Sequence, residues 1–400
     1  MVKSPLLLDV SRLVWRLWAK KLPTGIDRTC LAYAAHFREC SQAVVQRGRF
    51  TRVLSAKASA QLYDILLEQE YDHARRRLLS LFPTSLGAAR EQVEGRLYLN
   101  VGHTGLDKVG HVHWLHQTRV RPIYFVHDLI PIHYPEYCRP DEPKKHAQRV
   151  RSLLCHGAGV IANSCQTLEE VRQFAAQQSL PMPASLVAPL GLGDQRSAAN
   201  GPLAVGLPER PYFVLLGTIE ARKNHLLILT AWAELARRLG SECPHLVIIG
   251  QRGWECEQAI DMLDRCAAIR PYVTELSGCD DSTLAAFMRG AKALLFPSFV
   301  EGYGLPLIEA LAAGTPVIAS DLPVFRELAG SIPDYLNPID GLGWIRAVED
   351  YAQRGSRNRS AQLDRLPGWQ PPSWSAHFAA VDAWLDRISQ TPSSAPVLPD

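Results

Sequence analysis

The sequence of 400 residues contains no apolar run long enough to cross a lipid bilayer. The short apolar patch Leu6–Leu8 is broken at once by Asp9, and no small-residue cleavage site follows it, which argues against a secretory signal. The nine cysteines form no CxxC pair and no framework spacing. These absences predict a cytoplasmic protein whose cysteines are reduced thiols.

The composition predicts a globular protein of two domains. Apolar residues make up 47% of the chain and charged residues 21%, and 400 residues suffice for two domains of ordinary size. The net charge is divided unevenly. Residues 1–200 carry +9 (26 Lys and Arg against 17 Asp and Glu), and residues 201–400 carry −6 (17 against 23). The basic half is expected to face an anionic partner, such as nucleic acid, a membrane surface or a phosphorylated acceptor.

Short apolar runs alternate with segments of helical periodicity, which predicts parallel sheets with crossover helices. The predicted strands are Leu6–Val10, Leu97–Val101, Pro122–Val126, Gly159–Ala162, Ser185–Ala188, Tyr212–Leu216, His245–Ile249, Tyr272–Leu276, Ala293–Pro297 and Pro316–Ala319. Glycines and prolines predict a linker over residues 196–210, between an N-terminal domain (1–195) and a C-terminal domain (211–372). We expect an α/β fold of two Rossmann-like, doubly wound domains facing each other across a cleft, with ligands beyond the carboxyl ends of the strands.

Residues 373–400 are predicted to form a helix and a disordered tail. Ser373 suits the N-cap of a helix that begins at Trp374. Its apolar face would carry Phe378, Val381, Trp384, Leu385 and Ile388. The polar, proline-rich residues from about Ser389 onward predict disorder.

A candidate phosphate site lies in residues 296–310, FPSFVEGYGLPLIEA. Gly302 and Gly304 allow the backbone to approach a ligand, and the start of the following helix favours an anion. Glu301 and Glu309 would repel that anion unless they bind something else, and sugar and ribose hydroxyls are the natural candidates. The alternatives are a Rossmann-type phosphate loop, whose glycine pattern is incomplete here because Leu307 occupies the third position, and a purely structural turn.

A second candidate segment, LLGTIEARKNH, follows the first predicted strand of the C-terminal domain. Gly217 allows close approach of a ligand. Arg222 and Lys223 supply the positive charge that a diphosphate leaving group needs when no metal is present. The alternative is a solvated basic start of a helix.

Residues 212–330 resemble family 4 of the retaining GT-B glycosyltransferases. The resemblance is carried by FPSFVEGYGLPLIEALAAGTPVIAS, with the family's Glu-x7-Glu motif at Glu301 and Glu309, and by GTIEARKNH and LSGCDDSTLAAFMRGAKALLFPS. It implies transfer of a hexose, with a mannose-like sugar favoured, from a nucleotide diphosphate sugar such as GDP-mannose. The anomeric configuration would be retained, and neither a metal nor a cofactor would be required. The acceptor would be a glycan or a lipid-linked sugar in bacterial polysaccharide synthesis: capsule, O-antigen (lipopolysaccharide) or exopolysaccharide.

The resemblance also implies roles for single residues of the C-terminal domain. Arg222 and Lys223 would hold the diphosphate, Glu309 the ribose and Glu301 the transferred sugar, while the backbone of Gly278 would lie beside the base. The implied donor-binding residues are Gly217, Thr218, Arg222, Lys223, Gly278, Cys279, Glu301, Gly302, Tyr303, Gly304, Leu305 and Glu309. Arg222, Lys223 and Glu301, together with His127, are the implied catalytic residues.

The N-terminal domain resembles the family less densely. His127, at the carboxyl end of a predicted strand, would lie near the donor sugar; the alternative is a buried, hydrogen-bonded histidine. Asp128 is expected to orient the loop. Gly25 and Arg28 of TGIDR, after a helix cap at Thr24, are the expected acceptor-binding residues together with Asn163. For the segment at Asn163, a simple helix cap at Ser164 explains the pattern equally well.

The segment Ser11–Leu22 predicts an amphipathic helix. Arg12, Arg16 and Lys20 would share a basic face, and Trp15 and Trp18 add apolar surface, as in an interfacial helix; the alternative is packing on its own domain. With Arg75–Arg77, this segment predicts peripheral contact with the anionic inner face of the cytoplasmic membrane. His111, His113 and His116 have no carboxylate partner and are expected to be structural rather than metal ligands.

Three other functions remain open at this stage. The first is another GT-B activity, such as a nucleotide-sugar epimerase or a phosphorylase. The second is a catalytically silent scaffold subunit, which would be expected to have lost Glu301, Lys223 or His127. The third is a nucleic-acid-binding protein, although no motif supports it and the basic residues are scattered.

Overall fold

The computed structural model describes residues 6–20, 24–48, 50–68, 71–81, 93–193 and 208–390. The chain divides into a first unit, residues 1–190 with 373–400, and a second unit, residues 191–372. Most of the predicted linker, Leu22 and the predicted tail from residue 391 onward lie outside the described residues. The predicted helix after Ser373 belongs to the first unit. The sequence analysis instead predicts a separate C-terminal segment that begins at residue 373.

Within the described residues, the first unit has a seven-stranded sheet in the order β3-β2-β1-β4-β5-β6-β7. All neighbours are parallel except β3, which pairs with β2 in the antiparallel sense. The strands are β1 (Leu6–Asp9), β2 (Ser41–Arg47), β3 (Phe50–Val53), β4 (Leu97–Asn100), β5 (Arg121–Val126), β6 (Gly159–Ala162) and β7 (Ala184–Val187).

The helices of the N-terminal part of this unit are α1 (Ser11–Trp18), α2 (Gly25–Phe37), α3 (Ala56–Leu66), α4 (Tyr71–Leu81), α5 (Val109–Thr118), α6 (Ile130–His133), α7 (Glu142–His156) and α8 (Cys165–Gln177). Apolar side chains of the sheet and of helices α5, α7 and α8 form one core around Tyr98 and Tyr124. Because β4 lies beside β1 while β2 lies on its other side, the strand order reverses between β1 and β4. That reversal is where ligands bind in doubly wound sheets.

The second unit has a parallel sheet with the strand order β10-β9-β8-β11-β12-β13 in its described part. This is the Rossmann order, and it reverses between β8 and β11. The strands are β8 (Tyr212–Leu216), β9 (His245–Ile249), β10 (Val273–Leu276), β11 (Leu294–Phe296), β12 (Val317–Ser320) and β13 (Asp334–Leu336). The helices are α9 (His225–Leu239), α10 (Glu257–Arg265), α11 (Asp281–Gly290), α12 (Leu305–Ala312), α13 (Pro323–Ala329), α14 (Gly341–Ala352) and α15 (Arg357–Arg365).

All ten predicted strands are present, with ends that differ by at most one or two residues. Three further strands, β2, β3 and β13, were missed. The last helix, α16 (Trp374–Gln390), confirms the predicted cap and face. The Ser373 hydroxyl accepts a hydrogen bond from the Ala376 amide at 3.2 Å. The predicted apolar residues of α16 are buried in the first unit.

Helix α1 packs on its own unit. Leu13, Val14 and Leu17 are buried, and the helix ends at Trp18, so Lys20 lies beyond it. Nε of Arg12 and Nε of Arg16 lie 2.6 and 2.7 Å from the buried Asp27 carboxylate. The packed alternative therefore describes the apolar side of this helix. Arg12 and Arg16 share a face, as predicted, but both are paired with Asp27. None of the described helices is both long and apolar enough to cross a membrane.

Candidate active site

The loops after β8 and β11 meet at the reversal of strand order in the second unit. Nζ of Lys223 lies 2.6 Å from one oxygen of the Glu301 carboxylate, and a guanidinium nitrogen of Arg222 lies 2.9 Å from the other. The Ser298 hydroxyl donates to the same carboxylate at 2.6 Å. Arg222 also pairs with Glu220 at 2.7 Å. We call Glu220, Arg222, Lys223 and Glu301 the donor cluster; it brings three of the four predicted catalytic residues together.

The side chains of Glu220, Lys223 and Glu301 are largely buried, and Glu301 is ionised. Burial alone would raise the pKa of Glu301, but the charges of Lys223 and Arg222, with hydrogen bonds from Lys223 and Ser298, lower it to about 2. Burial lowers the pKa of Lys223, and Glu301 opposes that effect. A carboxylate that stays charged can accept hydrogen bonds from hydroxyl groups, and the two cations beside it can share an anionic ligand.

Local backbone contacts fix the donor cluster in place. Asn224 takes a left-handed conformation (φ 59°), and its side-chain amide donates to the carbonyls of Pro297 and Pro338. The amide of Phe299 donates to the carbonyl of Arg222 at 2.8 Å, which ties the two loops together. Gly217 has φ 142°, and a Cβ there would lie 3.4 Å from the Lys223 side chain. The short sequence GTIEARKN therefore positions both cations.

The second predicted loop leads into α12. Gly304 has φ 125°, and a Cβ at this position would lie 2.9 Å from the Phe325 ring. That φ strains any residue other than glycine. Leu305 begins α12, whose first N–H groups have no intrahelical partner by position and favour an anion. Glu309 lies on the second turn of this helix and is half-buried, while Tyr303 is buried.

Gly278 and Cys279 lie between β10 and α11, after the carboxyl end of the strand. A Cβ at Gly278 would meet no atom of the described residues within 4 Å, so the described part of the chain does not require glycine here. Burial, followed by the charges of Asp280 and Asp281, raises the pKa of Cys279 to about 11, which keeps its thiol protonated. Thr218 follows Gly217 and is half-buried.

A cavity of about 630 Å³ opens at the reversal of strand order in the first unit. His127, His103 and His146 line it. Their Nε2 atoms lie 2.8, 2.6 and 3.0 Å from the carbonyl oxygens of Val101, Phe125 and Asp128, respectively. Because a carbonyl can only accept a hydrogen bond, Nε2 of each ring carries a proton, and burial keeps His103 and His127 neutral by lowering their pKa, so their Nδ1 atoms are acceptors. Burial lowers the pKa of His127 to about 4, so this histidine is neutral at pH 7.

Arg12 and Arg16 also line this cavity, and they link it to the predicted glycine loop. Asp27 accepts hydrogen bonds from Arg12 and from the backbone amide of Thr24, which caps α2 as predicted, and it forms an ion pair with Arg16. Gly25 and Arg28 are exposed at the start of α2. The structure thus positions the predicted loop through a carboxylate that the sequence analysis had not singled out.

Asn163, which was predicted to contact the acceptor, is buried in the structure. Its side chain is 2% exposed, and its amide donates to the carbonyl of His127 at 2.8 Å. Ser164 accepts from the amide of Thr167, as the helix-cap alternative predicts. Asn163 therefore supports the His127 loop from behind. The amide of Ile130 donates to Asp128, consistent with the loop-orienting role expected of that residue. His111 is buried and lies 3.2 Å from the Tyr124 hydroxyl, as expected of a structural histidine.

Several residues of these sites were missed by the sequence analysis. Glu220 and Ser298 lie inside the quoted motifs, and their proximity to Arg222 and Glu301 could have singled them out. His103 follows a predicted strand, so its place beyond a carboxyl end was available as a signal. His146 lies within α7, and no local pattern distinguishes it.

Comparison with known proteins agrees with this arrangement. Residues 205–331 match the family model described as "Glycosyl transferases group 1". The chain is 28% identical over 269 residues to the serotype-specific mannosyltransferase WbdA of Escherichia coli, covering 64% of this chain and 32% of that protein. It is 32% identical over 143 residues to the O-antigen chain mannosyltransferase RfbU of Salmonella typhimurium, covering 36% and 38%. The chain spans about a third of the length of these relatives.

A solved structure has the same overall fold. The Anabaena protein HepE, solved in complex with UDP, superposes with a TM-score of 0.60 at 14% identity, covering 96% of this chain and all (100%) of that one. Two parallel α/β domains of this kind are the GT-B fold. The chain therefore has the GT-B fold, and the residues that match the model of the group 1 glycosyltransferases contain the donor cluster.

Proposed function

We propose that this protein transfers a hexose from a nucleotide diphosphate sugar to a glycan or lipid-linked acceptor in bacterial polysaccharide synthesis. The observation that carries the proposal is the donor cluster, in which ionised Glu301 is flanked by Arg222 and Lys223 within the segment that matches the family model. Its position at the reversal of strand order is where a nucleotide binds in a Rossmann sheet.

In this proposal the two cations and the start of α12 bind the diphosphate. Arg222 and Lys223 stabilise the charge that develops on the leaving diphosphate, so no metal ion is needed. Glu309 binds the ribose, Glu301 accepts hydrogen bonds from hydroxyls of the transferred sugar, and the base lies beside the backbone of Gly278. The leaving diphosphate takes the proton of the acceptor hydroxyl on the same face of the sugar, which retains the anomeric configuration.

A mannose-like donor, with GDP-mannose as the first candidate, is supported by the two relatives described above, because both are named as mannosyltransferases. For HepE the bound nucleotide is UDP. The base therefore has to be determined by experiment, and a donor screen can do this directly.

The acceptor is proposed to enter the cavity of the first unit. His127 and His103 are held with Nε2 on backbone carbonyls, so each ring offers Nδ1 to a sugar hydroxyl. The exposed Gly25 and Arg28 lie at the start of α2, next to the Arg12–Asp27 ion pair that borders the cavity. A sugar substrate rich in hydroxyl groups suits a cavity that is lined by hydrogen-bond acceptors and paired charges.

A cytoplasmic location with peripheral contact to an anionic membrane is a further part of the proposal. With Arg12 and Arg16 bound to Asp27, the contact falls to other residues. Trp18 is 38% exposed and Leu79 is 49% exposed. Lys20, just after α1, and Arg76, on α4, are also exposed, and these two helices contact each other. We call Trp18, Lys20, Arg76 and Leu79 the α1–α4 patch.

A donor screen tests the proposed activity. Purified protein is incubated with GDP-, UDP-, ADP- and dTDP-sugars, with and without a mannose-terminated acceptor, and with excess EDTA in a parallel series. We expect release of one nucleoside diphosphate, faster with acceptor and unchanged by EDTA, and a product with the anomeric configuration of the donor by NMR. Turnover that is lost in EDTA and restored by Mg²⁺ or Mn²⁺ would show a metal requirement. Turnover without acceptor that gives an epimerised sugar would favour the epimerase alternative.

A further inference from the structure

A second cavity, of about 560 Å³, lies in the second unit away from the donor cluster. Its lining runs along the edge strand β13, from Ser331 and Pro333 before the strand to Leu336 at its end. The donor cluster follows the carboxyl ends of β8 and β11. The cavity's lining includes no residue of the donor cluster, and β12 lies between β11 and β13, so the cavity is separate from the site proposed to bind the donor.

Three arginines from three different helices line this cavity: Arg326 of α13, Arg346 of α14 and Arg365 of α15. We call them the arginine triad. They belong to the half of the sequence that carries a net charge of −6. Convergence of three guanidinium groups in an acidic half of the chain is not explained by the donor site or by the core.

Two members of the triad are held in fixed positions. Arg326 forms a two-pronged ion pair with Asp321, with distances of 2.6 and 2.9 Å, and its guanidinium carbon lies 4.3 Å from the centre of the Tyr335 ring. Arg365 donates to the carbonyl of Ile332 at 2.8 Å and to Asp334 at 2.7 Å. These contacts fix the orientation of both side chains without using all of their N–H groups, because each guanidinium has five.

Arg346 is different. Within the described part of the chain it has no hydrogen-bond or ion-pair partner, although it lines the cavity. Asp334 is the one carboxylate among the cavity's lining residues that the structure describes, and its two oxygens are already bonded to Arg365 and the Tyr351 hydroxyl. Ser331 and Asn358 add neutral side chains that can donate hydrogen bonds. The lining therefore has an excess of positive charge and of donors.

We propose that the arginine triad binds a phosphorylated small molecule. A phosphate group accepts several charge-assisted hydrogen bonds at once, and planar guanidinium groups match its geometry. Arg346 supplies the unpaired charge, while Arg326 and Arg365 offer their remaining N–H groups from fixed positions. A volume of about 560 Å³ accommodates a ligand larger than a single phosphate ion.

Inorganic pyrophosphate is the probe for this site, measured by calorimetry at low ionic strength on the full chain. The test variant is Arg346→Gln. The matched control is Arg354→Gln, which removes the same charge from an exposed arginine of the same unit that does not line the cavity. Because neither side chain is buried, both variants should unfold at the same denaturant concentration as wild type, and this is checked first.

We expect the Arg346→Gln variant to bind pyrophosphate at least roughly tenfold more weakly than wild type, and the Arg354→Gln variant to bind like wild type. Hydrogen exchange locates the bound probe, since pyrophosphate could also occupy the donor cluster. Peptides that cover residues 326–336 and 344–365 should gain protection in wild type and lose that gain in Arg346→Gln. Equal weakening in both variants, unchanged binding in Arg346→Gln, or protection confined to residues 217–225 and 297–310 would each overturn the proposal. None of these outcomes depends on whether the protein transfers a sugar.

Discussion

At the scale of single residues, the donor cluster depends on one carboxylate that two cations share. Removal of Glu301 would leave Lys223 buried without its closest partner, whereas Arg222 would keep Glu220. Loss of one partner from a buried ion pair destabilises a protein strongly, because the remaining charge stays desolvated.

We therefore predict that Glu301→Gln lowers the free energy of unfolding by about 3 kcal/mol, measured by denaturant titration. The control is Glu234→Gln, which breaks exposed ion pairs with Arg237 and Arg238 and should leave the unfolding midpoint unchanged. If both variants unfold like wild type, the ion pairs of the donor cluster do not hold the two loops together.

A second prediction at this scale concerns pH. Burial lowers the pKa of His111 to about 4, below its value in the unfolded chain near 6.5. The unfolded state then binds a proton that the folded state does not, so the contribution of His111 is present above pH 6.5 and is lost as the pH falls towards 4. Between pH 7.5 and pH 5 this histidine should lower the free energy of unfolding by about 2 kcal/mol.

Unfolding titrations of His111→Gln at the two pH values check this expectation, with the exposed His113→Gln on the same helix as the control. The His111 variant should show a shallower fall in stability between pH 7.5 and 5, and the His113 variant should follow wild type. Parallel pH dependence in all three proteins would contradict it.

Single residues also show where sequence analysis succeeds. Arg222 and Lys223 lie next to each other in a motif, and Glu301 lies in another, so their types and spacing were sufficient to select them. Asp27 was not selected, because its importance comes from Arg12 and Arg16, which precede it by 15 and 11 residues and reach it only in the folded unit. Asn163 was selected from its position after a predicted strand, but its side-chain amide donates to the carbonyl of His127.

At the scale of elements, the loops before α11 and α12 differ in how strongly each requires its glycine. Gly304 has a φ that disfavours other residues and lies against Phe325, whereas a Cβ at Gly278 would meet none of the described atoms within 4 Å. We predict that Gly304→Ala lowers the free energy of unfolding by on the order of 1–3 kcal/mol through strain, and that Gly278→Ala leaves it unchanged.

Donor binding separates the two variants further. If the base lies beside the backbone of Gly278, the added methyl group of Gly278→Ala should weaken binding of the nucleoside diphosphate although the fold is intact. Calorimetry that shows wild-type affinity in a folded Gly278→Ala variant would remove Gly278 from the proposed donor site.

The strands that the sequence predicts and those that it misses differ in their surroundings. The ten predicted strands are short apolar runs. Three of them, Gly159–Ala162, Leu294–Phe296 and Val317–Ser320, are buried along their full length, and five more are buried except at one end. β3 is an edge strand with alternating exposure, and β13 is a three-residue edge strand, so neither has a continuous apolar run. β2 is buried but carries Gln42 and Gln46, which are satisfied by hydrogen bonds that only the folded unit provides.

At the scale of the whole molecule, the uneven charge of the sequence predicts an anionic surface as partner for the first 200 residues. Each Lys or Arg near an anionic membrane contributes roughly 1 kcal/mol, and exposed tryptophan adds an apolar component. We predict that the protein floats with anionic vesicles and less with neutral ones, and that Trp18→Ala with Arg76→Ala in the α1–α4 patch reduces flotation.

The matched control is Trp254→Ala with Arg265→Ala in the second unit, where Trp254 is exposed to nearly the same extent, 37% against 38% for Trp18. It should float like wild type. If wild type stays at the bottom of the gradient with anionic vesicles at low salt, the membrane contact is wrong.

Division of the chain into two α/β units could also be predicted, because it follows from the repeated alternation of strands and helices. Assignment of α16 to the first unit could not, since its apolar face would suit any apolar partner. Its position depends on specific contacts, such as those of the Phe378 ring with Tyr33 and His36. The local sequence predicts the helix itself, but the unit against which the helix packs is decided by tertiary contacts.

Binding of nucleoside diphosphates tests the proposed donor site most directly. GDP, UDP, ADP and dTDP are titrated by calorimetry into wild type, Lys223→Ala and Glu309→Ala, with the exposed Arg237→Ala of the same unit as control. Wild type should bind one of the four most tightly. Each of the two site variants should lose about 2–3 kcal/mol of binding free energy through its charge-assisted hydrogen bonds, and Arg237→Ala should lose none. Unchanged affinity in both folded site variants would contradict the assignment of the donor site to these residues.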